Sequence, residues 1–166
     1  MVGVGEKFDR SALALLFAAD RLDHARCEVL PALRSGQWVV SDRYVLSSLA
    51  YQALDLPQPY IAAINTRAPR PDLTLFLDVP AEVSLRRKKA QAPHPDLFED
   101  LATQRRVARN YLQALKGIAG VDLGPTEVLD GTQPIAAVGD AIEKLVRRRF
   151  RIDHAPSKRS TRETAS

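Results

Sequence analysis

The sequence predicts an α/β domain built on a mostly parallel sheet. Three observations carry that expectation. Short apolar runs at Gln37 to Ser41, Leu73 to Val79 and Thr126 to Asp130 have the length of buried strands. Stretches with helical apolar spacing separate them, and strands alternating with helices imply crossover connections and hence parallel pairing. The 166 residues, 45% of them hydrophobic, suffice for one core, so a single domain is the expectation.

The first element is a long helix. From Ser11 to Leu30, Leu13, Leu16, Phe17, Leu22, Ala25, Val29 and Leu30 recur near 3.6-residue spacing, with Asp9 or Ser11 available to cap the start. Pro31 lacks a backbone donor and should loosen the end, and Gly36 then terminates the region. Trp38-Val39-Val40 centre the first strand. The second, Leu73 to Val79, lies between Pro69 and Pro71 on one side and Pro80 on the other, and reads as a strand buried on both faces. Glu82 to Lys89 is the next helix. Pro93 and Pro95 interrupt the pattern before a polar helix from about Asp96 to Lys116, whose Arg105, Arg106 and Arg109 read as a solvated face. After the third strand come Gly131-Thr132 and a helix from about Pro134 to Arg148. The Ser-, Thr-, Lys- and Arg-rich end has no apolar period and is expected to be disordered. Residues 1–150 are thus expected as the domain and 151–166 as a basic tail.

The net charge of +4 belongs to that tail: residues 147 to 166 carry +5 and the rest −1. A near-neutral body argues against a broad nucleic-acid footprint, which needs a basic folded face. The tail reads as solubilising, with a nucleic-acid arm as the alternative. Cys27 is the sole cysteine, which rules out an intrachain disulfide and suits a reducing compartment; it reads as an inert core thiol. Glu6 and Asp9 stand where a basic leader region would be, and no apolar stretch approaches ~18 residues. The expectation is a cytoplasmic protein without a membrane partner.

Ligands in open parallel sheets sit beyond the carboxyl ends of strands, where Asp42-Arg43-Tyr44 follows Trp38-Val39-Val40. The planar fork of Arg43 suits phosphate oxygens, and Asp42 can orient a guanidinium or hold a hydrated metal ion. An ordinary strand-end ion pair is the alternative. On the first helix, Phe17 and Arg21 lie four residues apart and share a face. A ring beside a guanidinium can hold a flat base, by stacking and by donation to an exocyclic carbonyl. Taken singly, Phe17 reads equally as core and Arg21 as a partner of Asp20, Asp23 or Glu28. Leu13, Leu16 and Leu46 are candidates for lining an apolar slot.

The ordered set LLFAADR, LPALRSGQWVVSDRY, SSLAYQ and RAPRPDLTLFLDV closely resembles the thymidylate kinases over roughly residues 12–135. The resemblance implies a P-loop NTPase-like, three-layer nucleoside monophosphate kinase fold. It implies phosphorylation of deoxythymidylate (dTMP) to the diphosphate by ATP with Mg²⁺, and a homodimer. On the matching positions Phe17 would stack on thymine, Arg21 would bond a thymine carbonyl and Arg43 would hold the 5′-phosphate. Ser48 would lie at the pyrimidine edge and Tyr51 against the deoxyribose, with Gln52 beside them. Asp42, with Arg43, would act at the phosphates and near Mg²⁺. On the ATP side, Arg87 matches a nucleotide-contacting arginine, Lys89 is a second cation, and Gly131 and Thr132 match the region bordering adenine.

Two departures stand out. The phosphate-binding signature G-x-x-x-x-G-K-[ST] supplies backbone donors and a lysine to the ATP phosphates. None of the eight glycines, at 3, 5, 36, 117, 120, 124, 131 and 139, begins it, and Gly3-Val4-Gly5-Glu6-Lys7 has neither the spacing nor the hydroxyl. The expectation is therefore a fold missing its first strands, with a chain start set too far downstream in a longer kinase; a non-catalytic dTMP-binding fragment is the alternative. Near the lid, the resembling kinases carry Asp-Arg-Phe/Ile-Glu, whereas this chain reads Asp96-Leu97-Phe98-Glu99. Arg86, Arg87, Lys88 and Lys89 are replacement cations or a solvated surface.

Overall fold

The computed structural model describes residues 9–91 and 101–152, without the side chains of Lys89 and Gln91. The Gly3 to Lys7 stretch, the lid run Asp96 to Glu99 and the tail beyond residue 152 lie outside the described residues.

Helix α1 (Arg10–His24) starts where Asp9 accepts a hydrogen bond from the Ala12 amide at 2.8 Å, satisfying one of the free donors of the first turn. It runs without a break into a π-helical turn (Ala25–Val29) and then α2 (Leu30–Arg34). Pro31 explains the sequel to α1: it cannot donate to the carbonyl four residues back, and the ladder widens just ahead of it, with the Leu30 amide donating to the Ala25 carbonyl. The wide turn also shifts the helix face. Ala25 is buried while Cys27 is exposed, its thiol 3.6 Å from Asp23, so the expectation of a core thiol fails. Gly36, at φ +78°, ends the region.

The expected strand from Gln37 to Ser41 does not form; these residues are irregular, with Trp38 61% and Val40 93% exposed. A strand needs a hydrogen-bonding neighbour, and none pairs with this stretch among the described residues. What does form is a two-stranded parallel sheet of β1 (Thr74–Asp78) and β2 (Thr126–Asp130), in register from Thr74 with Thr126 to Asp78 with Asp130. Leu77 and Val128 remain exposed. The expectation of burial on both faces of β1 is thus corrected, because too few layers cover so small a sheet.

Helices supply the core. The short helices α3 (Val45–Tyr51) and α4 (Gln58–Ile64) pack with the long amphipathic α6 (Leu101–Leu115) around Val45, Leu46, Leu49, Ile61, Ala62 and Ala114. Phe76 of β1 and Tyr111 of α6 lie against this cluster. Side chains hold the end of α3: Gln58 donates to the Leu49 and Asn110 carbonyls at 2.9 and 3.0 Å, and Asn110 to the Ala50 carbonyl at 2.9 Å. A seven-residue helix is marginal alone, and such tertiary bonds are what retain it. Leu46 is therefore core rather than a pocket wall. A 3₁₀ turn (Gln52–Leu54) links α3 to the loop before α4.

Helices α5 (Ala81–Gln91) and α7 (Ile135–Phe150) follow β1 and β2, as the alternating pattern predicts. Arg105, Arg106 and Arg109 of α6 are exposed, as a solvated face requires, and two of them make surface contacts: Arg105 pairs with Glu82 at 2.6 Å and Arg106 donates to the Leu54 carbonyl at 2.6 Å. No helix among the described residues is long and apolar enough to cross a membrane.

Candidate functional site

Arg21 is the centre of the densest polar cluster. It projects from α1 into the junction with α3 and α4, half-buried, where one terminal nitrogen donates to Ser48 Oγ at 2.7 Å and the other to Asn65 Oδ1. Its guanidinium carbon stands 5.4 Å from the centre of the Tyr44 ring, within cation–π range. Tyr44 is fixed in turn by donation from its hydroxyl to the Pro69 carbonyl at 3.1 Å. Burial lowers the proton affinity of Arg21, opposed by Tyr44 and Asp20, and burial raises that of the Tyr44 phenol, opposed by Arg21. The bland alternative of a surface ion pair with Asp23 or Glu28 does not hold. Arg21 reaches two neutral acceptors on other helices instead.

Phe17, one turn before Arg21, is 51% exposed and lines a shallow apolar groove with Leu13, Leu16 and Asp20. The reading of Phe17 as core therefore fails.

Arg43 sits in a tight turn after Asp42 at φ +68°, with its carbonyl accepting from Ser41 Oγ at 2.8 Å. Its guanidinium lies over the Tyr51 ring, 4.8 Å from the centroid, and donates to the Tyr51 hydroxyl at 3.4 Å. A left-handed backbone at a residue other than glycine costs on the order of 1–3 kcal/mol and is found where surroundings dictate it. Tyr51 meets Tyr111 of α6 edge-on at 6.1 Å, and the Tyr111 and Ser47 hydroxyls are 2.8 Å apart. Burial raises the Tyr111 phenol, and the hydrogen bond from Ser47 opposes it. Gln52 Oε1 is buried with no hydrogen-bond partner among the described residues.

Thus Arg21 and Ser48 form one contact set, and Arg43 and Tyr51 a second, joined through α3. Asn65 and Tyr111 belong to these sets and were not singled out by the sequence, and Tyr44 was given no role of its own within Asp42-Arg43-Tyr44. Asn65 lies 44 residues from Arg21, and Tyr111 lies 64 from Ser47; no local pattern announces such pairings.

Asp42 is exposed, with no hydrogen bond or ion pair to the described residues. No group of three or more potential metal ligands exists among them. Mg²⁺ nonetheless needs only one or two carboxylates beside its waters and substrate phosphates, so a free Asp42 carboxylate fits that donor set.

The residues expected on the ATP side divide. Arg87 of α5 donates to the Gly131 carbonyl at 2.7 Å and the Thr132 carbonyl at 3.0 Å. Its guanidinium is thus spent in part on holding that loop. Asp130 closes the same loop, accepting from the Thr132 amide, the Thr132 hydroxyl and Gln133, which pull its carboxyl down to about 2. Gly131 is packed so closely that an added Cβ would lie 2.5 Å from Val79 Cγ2. Lys89 lies on α5, its side chain outside the described residues.

The family model described as thymidylate kinase matches residues 2–142. The chain is 46% identical over 110 residues to the probable thymidylate kinase of Pyrococcus abyssi (strain GE5 / Orsay), a match covering 66% of this chain and 54% of that protein. It is 39% identical over 136 residues to the probable thymidylate kinase of Pyrobaculum calidifontis, covering 81% and 67%. With that of Pyrobaculum aerophilum it shares 36% identity over 148 residues, covering 86% and 73%. The chain spans about half the length of the first of these curated relatives.

Proposed function

This chain belongs to the thymidylate kinase family, and from that premise we propose that the α1, α3 and α4 junction is the dTMP-binding half of a kinase that phosphorylates dTMP with ATP. The observation that carries the reading is Arg21: a cation held at two points, one helical turn along α1 from the exposed Phe17 ring, is suited to a flat base bearing carbonyl oxygens.

In this reading Phe17 stacks on thymine and Arg21 donates to a thymine carbonyl. Leu13 and Leu16 face the thymine methyl from the groove they share with Phe17. Ser48 supports the Arg21 contact at the pyrimidine edge, and Tyr51 lies against the deoxyribose. Gln52, with a buried oxygen lacking a partner, contributes a polar contact to the nucleotide. Arg43 holds the 5′-phosphate; its strained turn and the Tyr51 ring beneath it fix the direction of the guanidinium before the nucleotide arrives. A phosphate oxygen of dTMP then attacks the γ-phosphorus of ATP, the bond to the bridging oxygen of the β-phosphate breaks, and ADP leaves. Mg²⁺ supplies charge neutralisation at the phosphates when bound, and Asp42 is the residue that would hold it. Arg87 shapes the Gly131-Thr132 loop that borders adenine, and Lys89 adds charge there.

The reading carries with it a cytoplasmic homodimer, with residues 1–150 as the kinase-like domain and 151–166 as its tail. Exposed Leu15 and Leu22 on α1 support self-association. Calorimetric titration with dTMP is the test. Wild-type protein should bind, and Arg43→Ala and Phe17→Ala should each weaken binding by about tenfold or more; a folded chain that gives no heat refutes the reading.

One sequence observation favours a second reading, binding without turnover: no G-x-x-x-x-G-K-[ST] occurs in these 166 residues. An assay coupled to ATP consumption separates the two. Turnover by this chain would refute the second, and dTMP binding with no dTMP-dependent ADP release would refute turnover by it.

A further inference from the structure

Asn65 closes α4, where its amide nitrogen donates to the Ile61 carbonyl at 2.8 Å. It is only 4% exposed. Its amide oxygen accepts from Arg21. The two contacts fix the orientation of the amide, because a carbonyl can only accept and a guanidinium can only donate.

We propose that Asn65 is the positioning residue of the arginine that reads the base: its buried amide fixes the Arg21 guanidinium without neutralising it, and so sets the preference for a carbonyl-bearing pyrimidine over an amino-bearing one. The inference rests on the role given to Arg21 above.

Three features carry it. First, the guanidinium is a planar fork, and Asn65 on α4 and Ser48 on α3 take one terminal nitrogen each. A fork held at both tips by separate helices cannot rotate, so the ordering of a long side chain is complete before a ligand binds. Second, these two bonds use two of the five guanidinium hydrogens, and the remaining donors have no acceptor among the described residues. Third, both acceptors are neutral. A carboxylate at position 65 would claim the cation as an ion pair and weaken its donation to an exocyclic oxygen. It would also set an unprotonated oxygen against the Ile61 carbonyl. An amide supplies the acceptor and the donor together.

A residue that only caps α4 would affect stability but not base choice. The readout is therefore the ratio of the dissociation constants of deoxycytidylate and dTMP, measured by calorimetry on the 166-residue chain. Asn65→Ala should lower this ratio by about tenfold. Asn65→Asp supplies an acceptor but as a carboxylate that pairs with the cation and cannot donate to the Ile61 carbonyl, so the ratio should stay at least about threefold below wild type. In an Arg21→Ala background, adding Asn65→Ala should change the ratio by less than about twofold, as expected when one residue acts through the other. Should Asn65→Ala fail to fold, Asn65→Ser, too short to reach Arg21, takes its place. A ratio unchanged in Asn65→Ala but abolished in Arg21→Ala overturns this inference and leaves the role of Arg21 standing. Asn65→Asp with the full wild-type ratio also overturns it, because a neutral amide would then not be needed. A ratio unchanged in Arg21→Ala, or no binding of either nucleotide by wild type, overturns the reading of Arg21 and this inference with it.

Discussion

Residues Trp38 to Val40 and residues Val45 to Tyr51 lie a few positions apart, and both are strongly apolar; one is irregular and exposed, the other is a helix with Leu49 fully buried. Hydrophobicity does not separate them. Backbone bonding does. A helix satisfies its own donors and acceptors inside the segment, so α3 needs only side-chain contacts and the Gln58 and Asn110 bonds at its end. A strand must find another strand, and residues 37–41 have none beside them among the described residues. The same difference divides the site. The contacts of Arg21 with Ser48 and Asn65 rest on helices alone, whereas the Gly131-Thr132 loop depends on the β1 and β2 pair and on Arg87.

The sharpest way to break this comparison is to truncate both segments. Leu49→Ala should destabilise the protein by about 2–5 kcal/mol in chemical denaturation. Val40→Ser should stay within about 0.5 kcal/mol of wild type, as an exposed substitution does. A loss above about 1 kcal/mol at Val40 would mean that the irregular run is packed after all. On the sheet side, Gly131→Ala forces a Cβ against Val79 and Leu77, and about 1–3 kcal/mol of destabilisation is expected. A neutral result would show that the loop yields where the structure shows close packing.

Helix initiation gives a smaller effect. Asp9→Ala removes the acceptor for the Ala12 amide and should cost about 1 kcal/mol by thermal denaturation. The dTMP affinity of this variant tests whether fraying of the first turn reaches Phe17 and Arg21. Arg43→Gly relieves a left-handed backbone at an exposed position and should stabilise by about 0.5–1 kcal/mol, while weakening dTMP binding as the proposed phosphate role requires.

The smallest effect is a pH dependence. The Asp130 carboxyl is lowered from 3.8 to about 2 by hydrogen bonds from Gln133 and Thr132. A lowered folded-state value means that the ionised form is favoured by folding, so its contribution is complete above 3.8 and is lost as pH falls towards about 2. Asp130→Asn should flatten the stability profile within that acidic window and leave it unchanged near neutrality. Equal slopes for both proteins between pH 4 and 2 would remove Asp130 from the loop's support.

The helices were legible from local signals: the Asp9 cap, the 3.6-residue period from Ser11, Gly36 as terminator and the punctuated run of β1 all match. Cys27 reads as core only from its residue type; it lies off the apolar period that Ala25 belongs to, and it is exposed where Ala25 is buried. The strand at residues 37–41 was misjudged because a sequence displays a segment's own composition and not the presence of its neighbour. In the candidate site, Phe17, Arg21, Ser48, Arg43 and Tyr51 are named from their order along the chain, and the structure brings Arg21 to Ser48 and Arg43 to Tyr51. Their supports could not be named in that way. Asn65 is one polar residue at the end of a short helix, and Tyr111 one aromatic in a polar one; each acquires meaning only through a partner distant in the chain.

Position 43 shows what such a conflict leaves behind. Its backbone conformation suits glycine or asparagine, and its place under the proposed phosphate suits arginine alone. Local preference and site chemistry ask for different residues there, which makes the turn a point of frustration in an otherwise consistent helical region. Selection for folding alone would drift toward glycine at this position, whereas selection for nucleotide handling would hold the arginine. A library of variants at residue 43, sorted once for stability and once for ligand binding, should therefore enrich two different residues, turning a single backbone angle into a record of which pressure has shaped the chain.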